Sequence, residues 1–333
     1  MSQPDAFHRT GQTAAVLEPE IKGIALACPL CGAEGPADFL FAPDRFHLRT
    51  ETYRLVRCSK CTCVWQPVPP APEEMGTHYT EDYHNAIMRA GESNTSARWK
   101  LQHDLIAEFK QGGRILDIGC SSGAFLTTMD KGKWELYGTE LSRETAELAR
   151  KNTGATIFTG EASEAPYPPD SFDVITSFDL LEHVYDPRPF LNRVLEWLKP
   201  GGIYCLNLPN IDSWESRLFG SYWYGLEMPR HITHFSPTSL AHVMKSLGFE
   251  QAVLVTPPTT YVERSANYVN SAVWSTLGFH PVSQAEAKTD GLLWKAIRKG
   301  LRITLVAPFA QIASRSQAGG SILAVFRKPL QAK

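Results

Sequence analysis

Residues 114–126, RILDIGCSSGAFL, constrain this chain more than any other stretch. An apolar strand enters a bend built from Gly119, Cys120, Ser121, Ser122 and Gly123. At the carboxyl end of a parallel strand, such a bend lets backbone approach a ligand that a larger side chain would exclude. The stretch therefore reads as a nucleotide cradle at the first crossover of an α/β sheet. A helix is expected over 122–131, followed by a second apolar strand, WELYGTE, ending in the acid Glu140 seventeen positions after Gly123. A carboxylate at the tip of strand two is placed to accept hydrogen bonds from both ribose hydroxyls of an adenosine ligand.

Three ligands compete for the bend. Its G-x-S-x-G spacing also fits a hydrolase nucleophile elbow, with Ser121 as nucleophile and Asp186 and His231 following in the required order. That elbow normally follows several strands, whereas the preceding hundred residues hold paired cysteines and few strand signals, and it leaves Glu140 without a task. The dinucleotide fingerprint G-x-G-x-x-G is absent, because positions 119, 121 and 124 are Gly, Ser and Ala. Asp117, two residues before the first glycine, would repel a pyrophosphate but suits a cationic ligand that carries no phosphate.

On these residues the chain resembles the class I S-adenosylmethionine-dependent methyltransferases, whose first motif is an acid followed by three alternating glycines. Asp117, Gly119, Ser121 and Gly123 fall on that pattern, with Ser121 in place of the middle glycine. The resemblance implies an α/β fold with a doubly wound, seven-stranded Rossmann-like sheet, and S-adenosylmethionine as cofactor. It gives the ribose hydroxyls to Glu140 and the adenine to Glu161 and its neighbour Ala162, with Cys120, Leu141 and Phe178 beside the cofactor. SFDVITSFDLLEHV at 171–184 looks like the fourth strand and its motif, and LKPGGIYCLNLPN at 198–210 like the turn and fifth strand. The likeness covers roughly residues 95–256 and a last strand near 321–327.

At 333 residues the chain can hold one large α/β domain with additions, or two domains. Its formal net charge of −2 gives no electrostatic argument for nucleic acid. The first 27 residues lack the charged segment and apolar core of a secretory signal, so a flexible tail and a cytoplasmic enzyme are expected. No apolar run reaches the roughly 18 to 20 residues that span a bilayer.

Four of the seven cysteines form two C-x-x-C pairs, Cys28/Cys31 and Cys58/Cys61, each followed by a small residue, Gly32 or Thr62. Two such knuckles supply four thiolates to one tetrahedral zinc, with Phe39, Phe41, Tyr53, Leu55 and Val56 as the strands of a small ribbon over 28–66. Four thiolates leave no open position, so the metal is structural. Cys63 reads as a bystander and His47 as a solvated loop residue. Arg45, Arg49, Arg54, Arg57 and Lys60 make the segment mildly basic and keep a nucleic-acid role open. CPLCG and YRLVRCSKC resemble the front end of a bacterial methyltransferase group that tailors sugars and surface polysaccharides, which implies a ribbon that helps form the acceptor site.

Pro67 to Pro72 form a stiff link, and 67–94 would cover the cofactor, with His78, Tyr79, Tyr83 and His84 in it. By resemblance Tyr79 and Tyr83 reach the methionine end; packing is the plainer alternative. The core spans 95–256, with 210–235 as an acceptor-side lid. A helical insertion follows at 257–318, and 319–333 hold the last strand and tail. Within 292–313, Trp294, Leu301, Val306 and Phe309 alternate with Lys295, Arg298, Lys299 and Arg302, a basic amphipathic pattern suited to a membrane surface, a partner or its own domain.

Methyl transfer from a sulfonium is an in-line displacement, so the protein must position the acceptor and remove its proton. The base belongs near the carboxyl ends of strands four and five. His231 and His234, in PRHITHFSP, are the first candidates, with His183 the second choice and Asp179 set to orient a hydroxyl or cap a helix. Tyr222, Trp223 and Tyr224 suit a sugar ring or an apolar ring. The expected acceptor is an oxygen, or secondarily a carbon, of a small nucleotide-linked or lipid-linked sugar. The alternatives are a zinc-containing modifier of RNA or DNA and a non-catalytic binding subunit.

Overall fold

The computed structural model describes residues 26–45, 51–80, 95–276 and 307–330. The tail at 1–25, His47, Arg49, Tyr83, His84 and residues 292–306 of the basic amphipathic stretch lie outside the described residues. No helix among the described residues is long and apolar enough to cross a membrane.

Three short strands open the chain, β1 (Ala37–Pro43), β2 (Thr52–Arg57) and β3 (Val64–Trp65), followed by the single turn α1 (Pro72–Met75). The α/β part then runs α2 (Thr95–Ala107), β4 (Gly113–Ile118), β5 (Trp134–Glu140), α3 (Arg143–Thr153), β6 (Thr156–Thr159), β7 (Phe172–Phe178), α4 (Pro187–Trp197) and β8 (Leu198–Pro209). After it come α5 (Trp214–Phe219), β9 (Thr233–His234), α6 (Pro237–Ser246), β10 (Glu250–Val255), α7 (Tyr261–Thr276), α8 (Ala307–Arg315) and β11 (Ser321–Arg327).

The larger sheet has seven strands in the order β10-β11-β8-β7-β4-β5-β6. All neighbours from β6 to β8 pair in parallel, and β11 runs antiparallel to both β8 and β10. Chain order reverses between β4 and β7, and at such a switch point the strand ends open a ligand crevice. Helices cover both faces, so the central strands are buried on two sides and apolar without alternation: Ile203 to Leu206 in β8, and Ile322 to Phe326 in β11.

Local chemistry sets the helix ends. In α3, Ser142 caps the first turn by accepting from Thr145 N at 3.3 Å, and Gly154 ends it in the left-handed region at φ 68°. Pro187 and Pro237 open α4 and α6, where a missing N–H costs nothing, and Ser236 and Ser239 close a capping box on α6. The helix expected over 122–131 does not form. Turns and one 3-10 turn, Leu126–Thr128, replace it. Thr127 and Thr128 bond back through their hydroxyls to Ala124 O and Phe125 O at 2.7 Å, and Asp130 folds over Gly132 in a turn, so the ladder is interrupted from both ends.

The smaller sheet is antiparallel, in the order β1-β2-β3-β9. Its fourth strand comes from far along the chain: Val64 pairs with His234 and Trp65 with Thr233. Cys28, Leu30, Val56, Cys58 and Trp65 share one apolar cluster with Leu181, Phe235 and Leu240. The cysteine module is therefore built into the wall of the α/β domain.

An ion cluster bridges the same junction. Asp44 and Arg230, both buried, pair at 3.3 Å, and His78 Nδ1 lies 2.9 Å from Asp44 Oδ2. Arg230 also pairs through Nε with Glu227 at 3.3 Å. Removing one member strands a buried charge, so Asp44→Ala is expected to cost about 3–5 kcal/mol in urea unfolding. A loss under about 1 kcal/mol would show that the cluster does not tie the two sheets.

Candidate active site

At the carboxyl edge of the large sheet, three alternating positions of the bend share the left-handed region: Gly119 (φ 71°), Ser121 (φ 48°) and Gly123 (φ 77°). A Cβ on Gly123 would come within 2.5 Å of Thr153 Cγ2, so this position is closed to any side chain. Ser121 accepts the same backbone at some cost, and its N–H donates to Glu140 Oε2 at 3.0 Å. Ser142 N donates to Oε1 of the same carboxylate at 2.9 Å. Glu140 is thus fixed with its remaining lone pairs available to a diol.

Glu161 and Ala162 follow β6 on the same edge, where Gly160 N donates to Glu140 O at 3.0 Å. Leu141 is 66% exposed beside them, an apolar side chain with nothing over it among the described residues. Phe178, at the end of β7, packs edge-on with Phe125 and is tilted against Trp99 behind the bend. Cys120 directs its side chain inward, into the apolar cluster with Ile157 and Leu136.

Asp117 lies under the bend and accepts from Thr176 Oγ1 at 2.7 Å. Burial pushes its carboxyl up to about 7, against the Thr176 bond and with help from the charge of Glu140. A cationic ligand favours the ionised form, so binding draws a proton off Asp117 below that value.

The residues expected on the acceptor side gather where β7 gives way to the 3-10 turn Leu181–His183. His183 Nδ1 sits 3.0 Å from Arg230 O and 3.1 Å from Tyr79 Oη. His231 Nδ1 sits 2.9 Å from Gly225 O. Only an N–H can face a carbonyl, so both imidazoles carry their lone pair on Nε2. His231 Nε2 lies 3.7 Å from Glu227 Oε2 and 4.0 Å from Glu182 Oε1. Burial holds His231 well below the usual imidazole value, aided by His183 and His234. Burial likewise drives Glu182 well up, and neither of its carboxyl oxygens has a hydrogen-bond partner. His234 is turned away, bonding Leu226 O through Nε2 at 3.2 Å. Asp179 is exposed at φ 53° and accepts from Asn207 Nδ2 at 3.0 Å.

The aromatic platform expected from Tyr222, Trp223 and Tyr224 is turned inward. Trp223 is 1% exposed in the apolar cluster under β1, Tyr224 packs on Tyr261 and Tyr268, and Arg45 lies 3.6 Å over the Tyr222 ring.

On the far side of β9 the four cysteines converge, all Sγ atoms within 4.8 Å of one another. Cys28 and Cys61 are 3.5 Å apart, Cys31 and Cys58 3.6 Å. A tetrahedral zinc with bonds of about 2.3 Å spaces its sulfurs about 3.8 Å apart, so the set has the size the metal requires. Lys60 N and Cys61 N donate to Cys58 Sγ, and Gly32 and Thr62 turn each knuckle at positive φ. Cys63 stays outside the set, buried against Val64 O.

Residues 92–253 match the family model described as a methyltransferase domain. This region is a methyltransferase domain. Curated relatives agree on the class. A ubiquinone biosynthesis O-methyltransferase of Cereibacter sphaeroides is 29% identical over 178 residues, covering 50% of this chain and 67% of that protein. One of Idiomarina loihiensis is 34% identical over 43% of this chain and 64% of its own length. A demethylmenaquinone methyltransferase of Symbiobacterium thermophilum is 28% identical over 41% and 62%. A solved S-adenosylmethionine-dependent methyltransferase of Archaeoglobus fulgidus aligns at 16% identity, covering 74% of this chain and all of that one, with a TM-score of 0.48. The chain carries a methyltransferase domain and is similar to methyltransferases along it.

For the methyltransferase crevice, the state of Asp117 gives a pH dependence. Because a cationic donor prefers the ionised carboxylate, donor affinity should be steady above about pH 8, stand at about half that plateau at pH 7 and fall to about a tenth of it by pH 6. Titration calorimetry between pH 5.5 and 8 measures it, and a flat profile would remove Asp117 from donor binding.

Sequence reasoning missed Glu182, Glu227 and Arg230 on the acceptor side. Glu227 stands four residues before His231, a spacing visible in EMPRH only once that stretch is known to turn.

Proposed function

We propose that the domain transfers the methyl group to an oxygen of a small acceptor, with His231 as the base. The arrangement at His231 carries this reading: a buried, neutral imidazole, its tautomer fixed by Gly225 O, presents Nε2 between Glu227 and Glu182. S-adenosylmethionine, when bound, supplies an electrophilic methyl group. Asp117, Glu140, Leu141, Glu161 and Ala162 would hold it, the acids meeting its cationic and diol ends. His231 Nε2 would take the acceptor's hydroxyl proton as that oxygen displaces the neutral sulfide from the methyl group, and Glu227 would balance the imidazolium. Glu182, uncharged, offers a carboxyl hydrogen bond to the same oxygen, and Tyr79 Oη braces His183 beside it.

The acceptor we favour is a hydroxyl of a nucleotide-linked or lipid-linked sugar, on the strength of the ribbon joined to the lid, as its resemblance to sugar-tailoring enzymes led us to expect. The relatives named for ubiquinone biosynthesis support a second acceptor, a phenolic quinone precursor. We further propose that Cys28, Cys31, Cys58 and Cys61 hold one structural zinc. A labelled-methyl assay against activated sugars, polysaccharide fragments, quinone precursors and RNA tests the reading. Label in a sugar hydroxyl is expected, label in a phenol selects the second acceptor, and label in RNA or in no acceptor overturns both.

A further inference from the structure

The backbone from Pro229 to Ile232 is held from two sides. On one side the turn after β7 grips it: Glu182 O accepts from Ile232 N at 2.8 Å, and His183 Nδ1 binds Arg230 O. On the other side stands Gln66, the residue after β3. Its backbone N donates to Ile232 O at 2.9 Å, and its carboxamide Nε2 donates to Pro229 O at 2.7 Å and His231 O at 3.0 Å. Four successive carbonyls, from Pro229 to Ile232, are thereby satisfied, two of them by one side chain.

Gln66 is 2% exposed and its Oε1 has no hydrogen-bond partner. Rotating the amide would set Oε1 against two carbonyls, so the orientation is fixed by its surroundings. A buried, unsatisfied amide oxygen costs stability that an apolar residue of the same length would not. What the carboxamide alone provides is a pair of donors, three atoms from the ribbon backbone, aimed at the carbonyls on either side of Arg230.

We infer that Gln66 is a positioning residue for methyl transfer, setting where His231 Nε2 stands relative to the donor. The inference rests on His231 being the base. It gives the cysteine module a catalytic consequence although none of its residues need touch the acceptor: β3 carries Gln66, β3 pairs with β9, and the knuckle Cys58–Cys61 fixes the turn that leads into β3. A displacement of the base by about 1 Å lowers rates by up to about 10²-fold, and the loss falls on kcat because the hydrogen bonds of Gln66 run to Pro229, His231 and Ile232 and not to the residues that would hold the donor.

Gln66→Met keeps the length and removes both donors. Using the acceptor found in the labelled-methyl assay, the variant is expected to lose about 10–100-fold in kcat. Donor affinity should stay within about threefold. The acid limb of its pH–rate profile should move, since His231 loses its fixed surroundings. Gln66→Glu, with the same shape and at least one of the two donors lost, should behave alike. In a His231→Ala background, Gln66→Met should have no further effect on kcat, because its influence runs through the imidazole. Lower thermal stability with wild-type kcat and an unmoved pH profile would overturn the inference and leave the base assignment standing. An undiminished rate in His231→Ala alone would instead defeat the base assignment, and with it the inference. An additive loss in the double variant would also overturn the inference.

Discussion

Replacing His231 by Ala is expected to lower kcat roughly 10²–10⁴-fold, the range that a positioned general base contributes, while donor affinity changes by less than about threefold. The imidazole lies in the acceptor-side cluster, and its contacts run to Gly225, Glu227 and Glu182, none of which belongs to the crevice around Glu140. Its protonation adds a second signature. Burial favours the neutral ring, so the group is lowered from the usual imidazole value and protonates only in more acidic solution. The rate should therefore rise with pH along a limb centred below about 6.5 and be level at neutral pH. A limb above 7, or one that survives in His231→Ala, would assign the titration to another group. His183→Ala serves as the contrast: it removes one grip on Arg230 O and should cost less than His231→Ala.

The second large effect concerns the zinc proposed for the four cysteines. Stripping the chain with a thiol-competent chelator, or replacing Cys28 and Cys58 together by Ser, should abolish binding of about one zinc per chain and lower methyl transfer at least tenfold. Donor affinity should remain within about threefold. This split follows from the placement of the module. Cys28, Cys58 and Cys61 sit in the apolar cluster that includes Phe235 and Leu181, and the ladder through Val64 and Trp65 continues into Thr233 and His234. Structural zinc supplies folding energy to segments too small to hold a core of their own, so its loss should release the ribbon and the Pro229–Ile232 backbone together. The bend at Gly119–Gly123 draws its support from Thr153, Ala149 and Thr139 and should persist. A stripped chain that transfers methyl at the full rate would separate the module from catalysis.

Much of the fold was legible because its signals are local. The strand expected at 321–327 is observed as Ser321–Arg327, and the fourth strand of the α/β part as Phe172–Phe178, since each is a short apolar run bounded by turn residues. Helix ends also follow local chemistry: Pro187, Ser236 and Gly154 each stand at one. The helix expected over 122–131 failed for a reason that periodicity does not carry: threonine hydroxyls at 127 and 128 compete for the carbonyls a helix would use. Glu140 and the bend were readable because a turn and the strand after it fix both. The acceptor side was only half readable. His183 and His231 stand out by residue type, but Gln66 acquires meaning only when segments some 165 residues apart are brought together, Glu182 only when the turn after β7 meets His231, and Glu227 only once the stretch before His231 is known to turn. The inward turn of Trp223 and Tyr224 was equally hidden, because an aromatic run gives no sign of whether it faces a ligand or a core.

The central claim is that two carboxylates flanking a bend held at positive φ bind an adenosine whose positive charge lies on sulfur, with no phosphate anchor. Isothermal titration of S-adenosylmethionine into the wild-type chain and into Glu140→Ala tests it most directly. The account predicts one site per chain in the wild type and at least tenfold weaker binding in the variant, because Glu140 is already oriented by Ser121 N and Ser142 N before the ribose arrives. Equal affinity in the two chains, or a wild-type chain that binds a nicotinamide dinucleotide in preference to the methyl donor, would contradict it.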